Sequence, residues 1–119
     1  MWSKLEEAFK EMKLPYSRQG SYSDTDELPE SFFTFWNYDT PEGGFYDNEA
    51  NRAVWVWYIY AYTRDPALLY SNLDGLIKIL KEKGFAVEGR GRDIASGIED
   101  YVGRYVVVRY IENYSEKEN

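Results

Sequence analysis

Apolar residues at Trp2, Leu5, Phe9 and Met12 recur at intervals of three and four, and this spacing predicts an amphipathic helix over residues 2–13. Glu6, Glu7, Lys10, Glu11 and Lys13 fill the remaining positions, and Pro15 stops the helix near Leu14. A helix this short is marginal alone and needs a surface to pack on. Residues 16–31 are polar and interrupted by Gly20 and Pro29. They read as a loop, flexible over about 17–31, with a short strand near Tyr16–Arg18.

The period then changes from helical to alternating. Residues 32–38, Phe-Phe-Thr-Phe-Trp-Asn-Tyr, read as a strand with Phe32, Thr34, Trp36 and Tyr38 on one side and Phe33, Phe35 and Asn37 on the other. Asp39-Thr40-Pro41-Glu42-Gly43-Gly44 is a turn by composition. Phe45-Tyr46-Asp47 extends that hairpin or lies as a lip beside it. Residues 53–62 carry the strongest signal. Val54, Val56, Tyr58, Tyr60 and Tyr62 form one row, and Trp55, Trp57, Ile59 and Ala61 the other. Both rows are largely apolar, as in a strand covered on both faces. Two short helices do not suffice for both sides, so a neighbouring subunit is the expected second cover.

Asp65-Pro66 opens a second helix as cap and first residue. Leu69, Leu73, Leu76, Ile77 and Leu80 form its buried stripe, Lys78, Lys81, Glu82 and Lys83 its solvated end, and Gly84 its terminator. Gly75 inside it costs about 1 kcal/mol against alanine. Phe85–Glu88 starts a third strand, loosened by Gly89-Arg90-Gly91-Arg92-Asp93. Residues 94–102 fit either a helical turn or a loop. Residues 104–112 form the last strand, and 115–119 a frayed tail. The order is α-β-β-α-β-β, which predicts a single α+β domain over 1–119: a mostly antiparallel sheet with two helices packed on one face.

Composition sharpens this picture in one direction. Twelve Tyr, six Phe and four Trp make 18% of the chain, and Tyr and Trp suit surfaces that are half wet. Fourteen basic against 21 acidic residues give a net charge of -7, which disfavours duplex nucleic acid and acidic membranes. With no Cys and no His, thiol nucleophiles, imidazole bases and thiolate or imidazole metal sites are ruled out. No apolar run approaches a membrane span, and the N-terminus lacks a secretory apolar segment. The expectation is a cytoplasmic, non-catalytic protein with neither metal nor cofactor.

The N-terminal helix, the aromatic strand Phe32–Tyr38, the long strand Ala53–Tyr62, the Asp65-Pro66 helix ending in Lys83-Gly84-Phe85, and Gly103-Arg104-Tyr105 leading into Val106–Tyr110 follow one another in a familiar order. Over residues 2–114 this order resembles the tail terminator (tail completion) and head-tail joining proteins of long-tailed bacteriophages and their prophage relatives. The resemblance implies a ring, usually hexameric, that caps the tail tube, ends its polymerisation and offers a surface for the head. Its implied partners are copies of itself, the tail tube protein and a head-completion or connector protein. Its implied place is the host cytoplasm during assembly, then the head-proximal end of the virion tail. DNA is implied only inside a central channel. The aromatic richness departs from the family and keeps a second reading open: a small non-catalytic module that binds a protein or ligand on its aromatic sheet.

Candidate interface residues follow from both lines: Trp36, Tyr58, Tyr60 and Tyr62 on the aromatic rows, Arg90 and Arg92 in the glycine-rich stretch, and Arg109 among apolar neighbours. Arg109 calls for an edge position or a buried ion pair. Gly89-Arg90-Gly91-Arg92 lacks the phosphate-loop pattern and reads as a bend with two exposed arginines. Asp24-Thr25-Asp26-Glu27 lacks the spacing of a calcium loop and reads as solvated. Asp39, Glu42, Asp47 and Glu49 read as an acidic surface, since nothing fixes the separation that an acid pair needs.

Overall fold

The computed structural model describes residues 2–19, 28–43 and 51–113. The elements are α1 (Trp2–Met12), β1 (Tyr16–Arg18), β2 (Ser31–Asp39), β3 (Glu42–Gly43), β4 (Arg52–Thr63), α2 (Pro66–Glu82), β5 (Ala86–Val87), β6 (Arg92–Ile94) and β7 (Val102–Asn113). They build an α+β fold around one mixed sheet of order β1-β2-β4-β7-β5, with β3 pairing β4 and β6 pairing β7. Only β1 and β2 run parallel; the other pairs are antiparallel.

The long strands form because their alternation is sustained and their partners match it. Trp57 sits opposite Asn37 on one side and Val108 on the other; Ile59 sits between Phe35 and Val106. This register puts Phe33, Phe35, Trp57, Ile59, Val106 and Val108 on one face. Leu5 and Phe9 of α1 and Leu69, Leu73, Leu76 and Leu80 of α2 close over that face in one core. Phe9 stacks on Tyr16 at 5.0 Å between ring centroids, and Trp2 on Phe35 at 4.7 Å. The predicted stripes of both helices are therefore the buried ones.

The ends of α2 are fixed locally. Asp65 accepts a hydrogen bond from the Ala67 N–H at 3.0 Å, with Pro66 opening the helix. The Thr63 hydroxyl pairs with Ser31 at 2.8 Å and accepts from the Asp65 N–H at 3.2 Å. One hydroxyl thus joins the start of β2, the end of β4 and the helix entry. At the far end Gly84 adopts φ +95. Its N–H donates to Lys81 O at 3.1 Å, and the Phe85 N–H donates to Leu80 O at 3.0 Å. These two closing bonds turn the chain and drop Phe85 into the core.

That turn corrects the third strand. Phe85 is core, and the strand that follows is only Ala86–Val87, with the Glu88 N–H adding a last bond to Val107 O at 3.4 Å. Three further boundaries differ. The expected short strand Tyr16–Arg18 is β1, so the loop expected over 17–31 begins only after Arg18, and Ser31 already belongs to β2. Residues 94–102 hold no helix; β6 ends at Ile94, bends and turns follow, and β7 already starts at Val102. The last strand reaches Asn113 because β4 pairs with it along its whole length. The expectations for Asp24–Glu27, Phe45–Asp47, Glu49 and the tail 115–119 lie outside the described residues.

Gly75 lies where α2 meets α1. A Cβ there would touch only the flexible tip of Met12, at 3.4 Å from its sulfur and methyl carbon. Gly75→Ala is expected to stabilise the fold by up to about 1 kcal/mol, less whatever Met12 gives up in moving aside. Urea denaturation measures it, and a loss of stability would mean that the helix contact cannot yield.

Candidate functional site

The helices cover one row of β4. The other row, Val54, Val56, Tyr58, Tyr60 and Tyr62, faces away from them; Leu28, Ile98 and Tyr101 pack over its Tyr62 end and Val56 is buried, while Val54, Tyr58 and Tyr60 are half-buried. Its neighbours follow from the pairing. Phe32, Thr34 and Trp36 flank it on β2, and Gly103, Tyr105, Val107, Arg109 and Ile111 flank it on β7. Four of the seven residues singled out in the sequence, Trp36, Tyr58, Tyr60 and Tyr62, come together here. Arg109 stands on the same face, at its β7 side.

The rings form an unbroken series. Trp36 lies 5.2 Å from Tyr58 and meets Tyr38 edge-on at 5.7 Å. Tyr58 is parallel to Tyr105 at 5.9 Å, Tyr105 lies 5.8 Å from Tyr60, and Tyr60 is parallel to Tyr62 at 6.3 Å. The Trp36 indole N–H donates to the Tyr60 hydroxyl at 3.3 Å. Cross-strand aromatic pairs of this kind stabilise the sheet before anything binds it.

The face is graded from closed to open. At one end Phe32, Tyr62 and Tyr101 make a second small core. Gly103 makes room for it: a Cβ there would stand 3.1 Å from the Tyr62 ring. Burial pushes the Tyr62 hydroxyl above the usual phenol range. The Tyr101 hydroxyl donates to Pro29 O at 2.6 Å and accepts from the Arg64 Nε–H at 3.0 Å, which ties the chain before β2 to this end. Trp36, Tyr58, Tyr60 and Tyr105 in the middle are half-buried. At the other end Tyr38 is 57% exposed and Ile111 56%.

The arginines divide. Arg109 is neither at a sheet edge nor in a buried pair. It sits between β4 and β5, where its guanidinium meets the Glu88 carboxylate at the half-exposed rim of the face. Arg90 reaches away to an ion pair with Asp74 of α2. Arg92 has no ion pair among the described residues. A cavity of about 470 Å³ opens beside this stretch, lined by Glu88, Gly89, Arg90, Gly91, Arg92 and Tyr105. With Glu88 and Arg90 already paired, Arg92 is the free charge of its lining, a weak basis for holding a phosphate backbone.

Sequence reasoning passed over the best-connected cation. Arg104 is 17% exposed; it donates to Asp93 Oδ1 at 2.6 Å, to Arg90 O at 3.0 Å and to Gly91 O at 3.0 Å. Its guanidinium lies over the Tyr70 ring at 4.8 Å. The Tyr70 hydroxyl in turn donates to Asp93 at 2.9 Å. This network pins the glycine-rich connection against β7 and α2. The signal was available: Arg104 continues the row of Val106 and Val108, and a cation on the core-facing row needs partners.

The Arg104 hydrogen bond, aided by Tyr70, holds the Asp93 carboxyl below its usual pKa. A depressed carboxylate adds stability that is complete above its unfolded value, near pH 4, and is lost as pH falls through the lower folded value. The difference in urea midpoint between the native chain and Asp93→Asn is therefore expected to be constant from about pH 5 to 7. It should close below about pH 4, and a gap that persists there would assign the effect to shape and not to charge.

Asp39 is occupied with its own turn, accepting from the Thr40 N–H at 2.9 Å. Among the described residues no group of three or more carboxylates is placed to hold a metal ion. A scan against protein-family models and a search of curated proteins each find no match to the chain.

Proposed function

We propose that this protein is a structural assembly component that works by contact through the open face of its sheet. Following the resemblance, it would act as a ring of copies that caps a phage or prophage tail tube, ends tube growth and offers a surface to a head-completion protein. The observation supporting this is the continuous aromatic series Tyr38, Trp36, Tyr58, Tyr105 and Tyr60, all exposed or half-buried on the side of the sheet away from the helices. A tyrosine- and tryptophan-rich surface orders few degrees of freedom on binding, and contiguous patches of this kind mark interaction sites.

Edge-to-edge association is the poorer route. One outer strand is the three-residue β1, and the other margin is split into β5 and β6 by Gly89–Gly91. Short, interrupted edges discourage strand addition. The open part of the face spans Val54–Tyr60 over three strands, a footprint of roughly 300 Å². That is well under the roughly 800 Å² per partner of a stable two-body interface. The face alone supports reversible association, and a permanent ring needs further contacts with the neighbour or the tube.

Sedimentation velocity over a wide concentration range tests the reading, alone and with a tail tube protein present. The native chain is expected to associate, and Tyr38→Ser combined with Ile111→Ser to weaken association at least tenfold while leaving the melting temperature nearly unchanged. Leu68→Ser, on an exposed position of α2 away from the face, serves as control. A native chain that stays monomeric under both conditions would sink the proposal.

A further inference from the structure

We draw no further inference here: the strongest candidate, the cleft of about 380 Å³ between the first turn of α2 and the connection from β6 to β7, lined by Pro66, Leu69, Tyr70, Ile94, Tyr101 and Val102, has the Asp93 carboxylate on its wall already paired with Arg104, and nothing in the structure shows what covers it.

Discussion

Gly91→Ala is expected to destabilise the fold by about 3 kcal/mol or more, whereas Gly89→Ala, two residues away, costs only about 1–2. Both glycines have positive φ, +64 at Gly89 and +87 at Gly91, so both substitutions place an L-residue in the left-handed region. They differ in surroundings. A Cβ at Gly89 meets nothing within 4 Å. A Cβ at Gly91 would run into the Tyr105 carbonyl oxygen and stand 3.1 Å from a Leu73 methyl. The carbonyl belongs to β7 and is held by the sheet, so it cannot step aside. The connection would have to lift, breaking the Arg104 bonds to Arg90 O and Gly91 O. Urea unfolding of the two variants separates the conformational cost from the clash. Equal losses would show that the connection re-forms freely.

Trp57 and Tyr58 are adjacent residues with opposite duties, and paired substitutions should separate them. Trp57 is 2% exposed and surrounded by Trp2, Phe35 and Trp55 at 5.8–6.2 Å. Trp57→Ala leaves a large cavity between both helices and the sheet and is expected to cost about 3–5 kcal/mol. Tyr58 points the other way, half-buried, with Trp36, Tyr38 and Tyr105 as ring neighbours. Tyr58→Thr keeps a strand-forming residue and is expected to cost about 1–2 kcal/mol of monomer stability. Its larger effect should appear in self-association, at least tenfold weaker by sedimentation. If Tyr58→Thr unfolds the chain as Trp57→Ala does, the face is core and the proposed function loses its support.

Much of this arrangement could be read from spacing. The α1 stripe, the two rows of β4, the Asp65-Pro66 entry and the Gly84 exit are local patterns, and the chain obeys them. The misreadings share one cause. Phe85 looks like a strand residue but is captured by the core once Gly84 turns the chain. Ile94 looks ambiguous because a strand of three residues has no period to detect, and β6 exists only because β7 lies beside it; Val102 joins β7 because it pairs with Thr63 at the far end of β4. Arg109 and Arg90 look alike as isolated cations, and only the positions of Glu88 and Asp74 tell them apart.

By itself, then, the order of residues determined which segments coil, which extend and which rows are apolar, because those depend on neighbours within a few positions. It also determined that histidine and cysteine chemistry is absent. The tertiary structure decided which apolar row of β4 the helices take and which remains open, because that choice rests on the register with β2 and β7 and on helices far away in the chain. It decided the charge pairing for the same reason: an ion pair is a matter of distance in space, and residues 11 to 21 positions apart meet only after the sheet has formed.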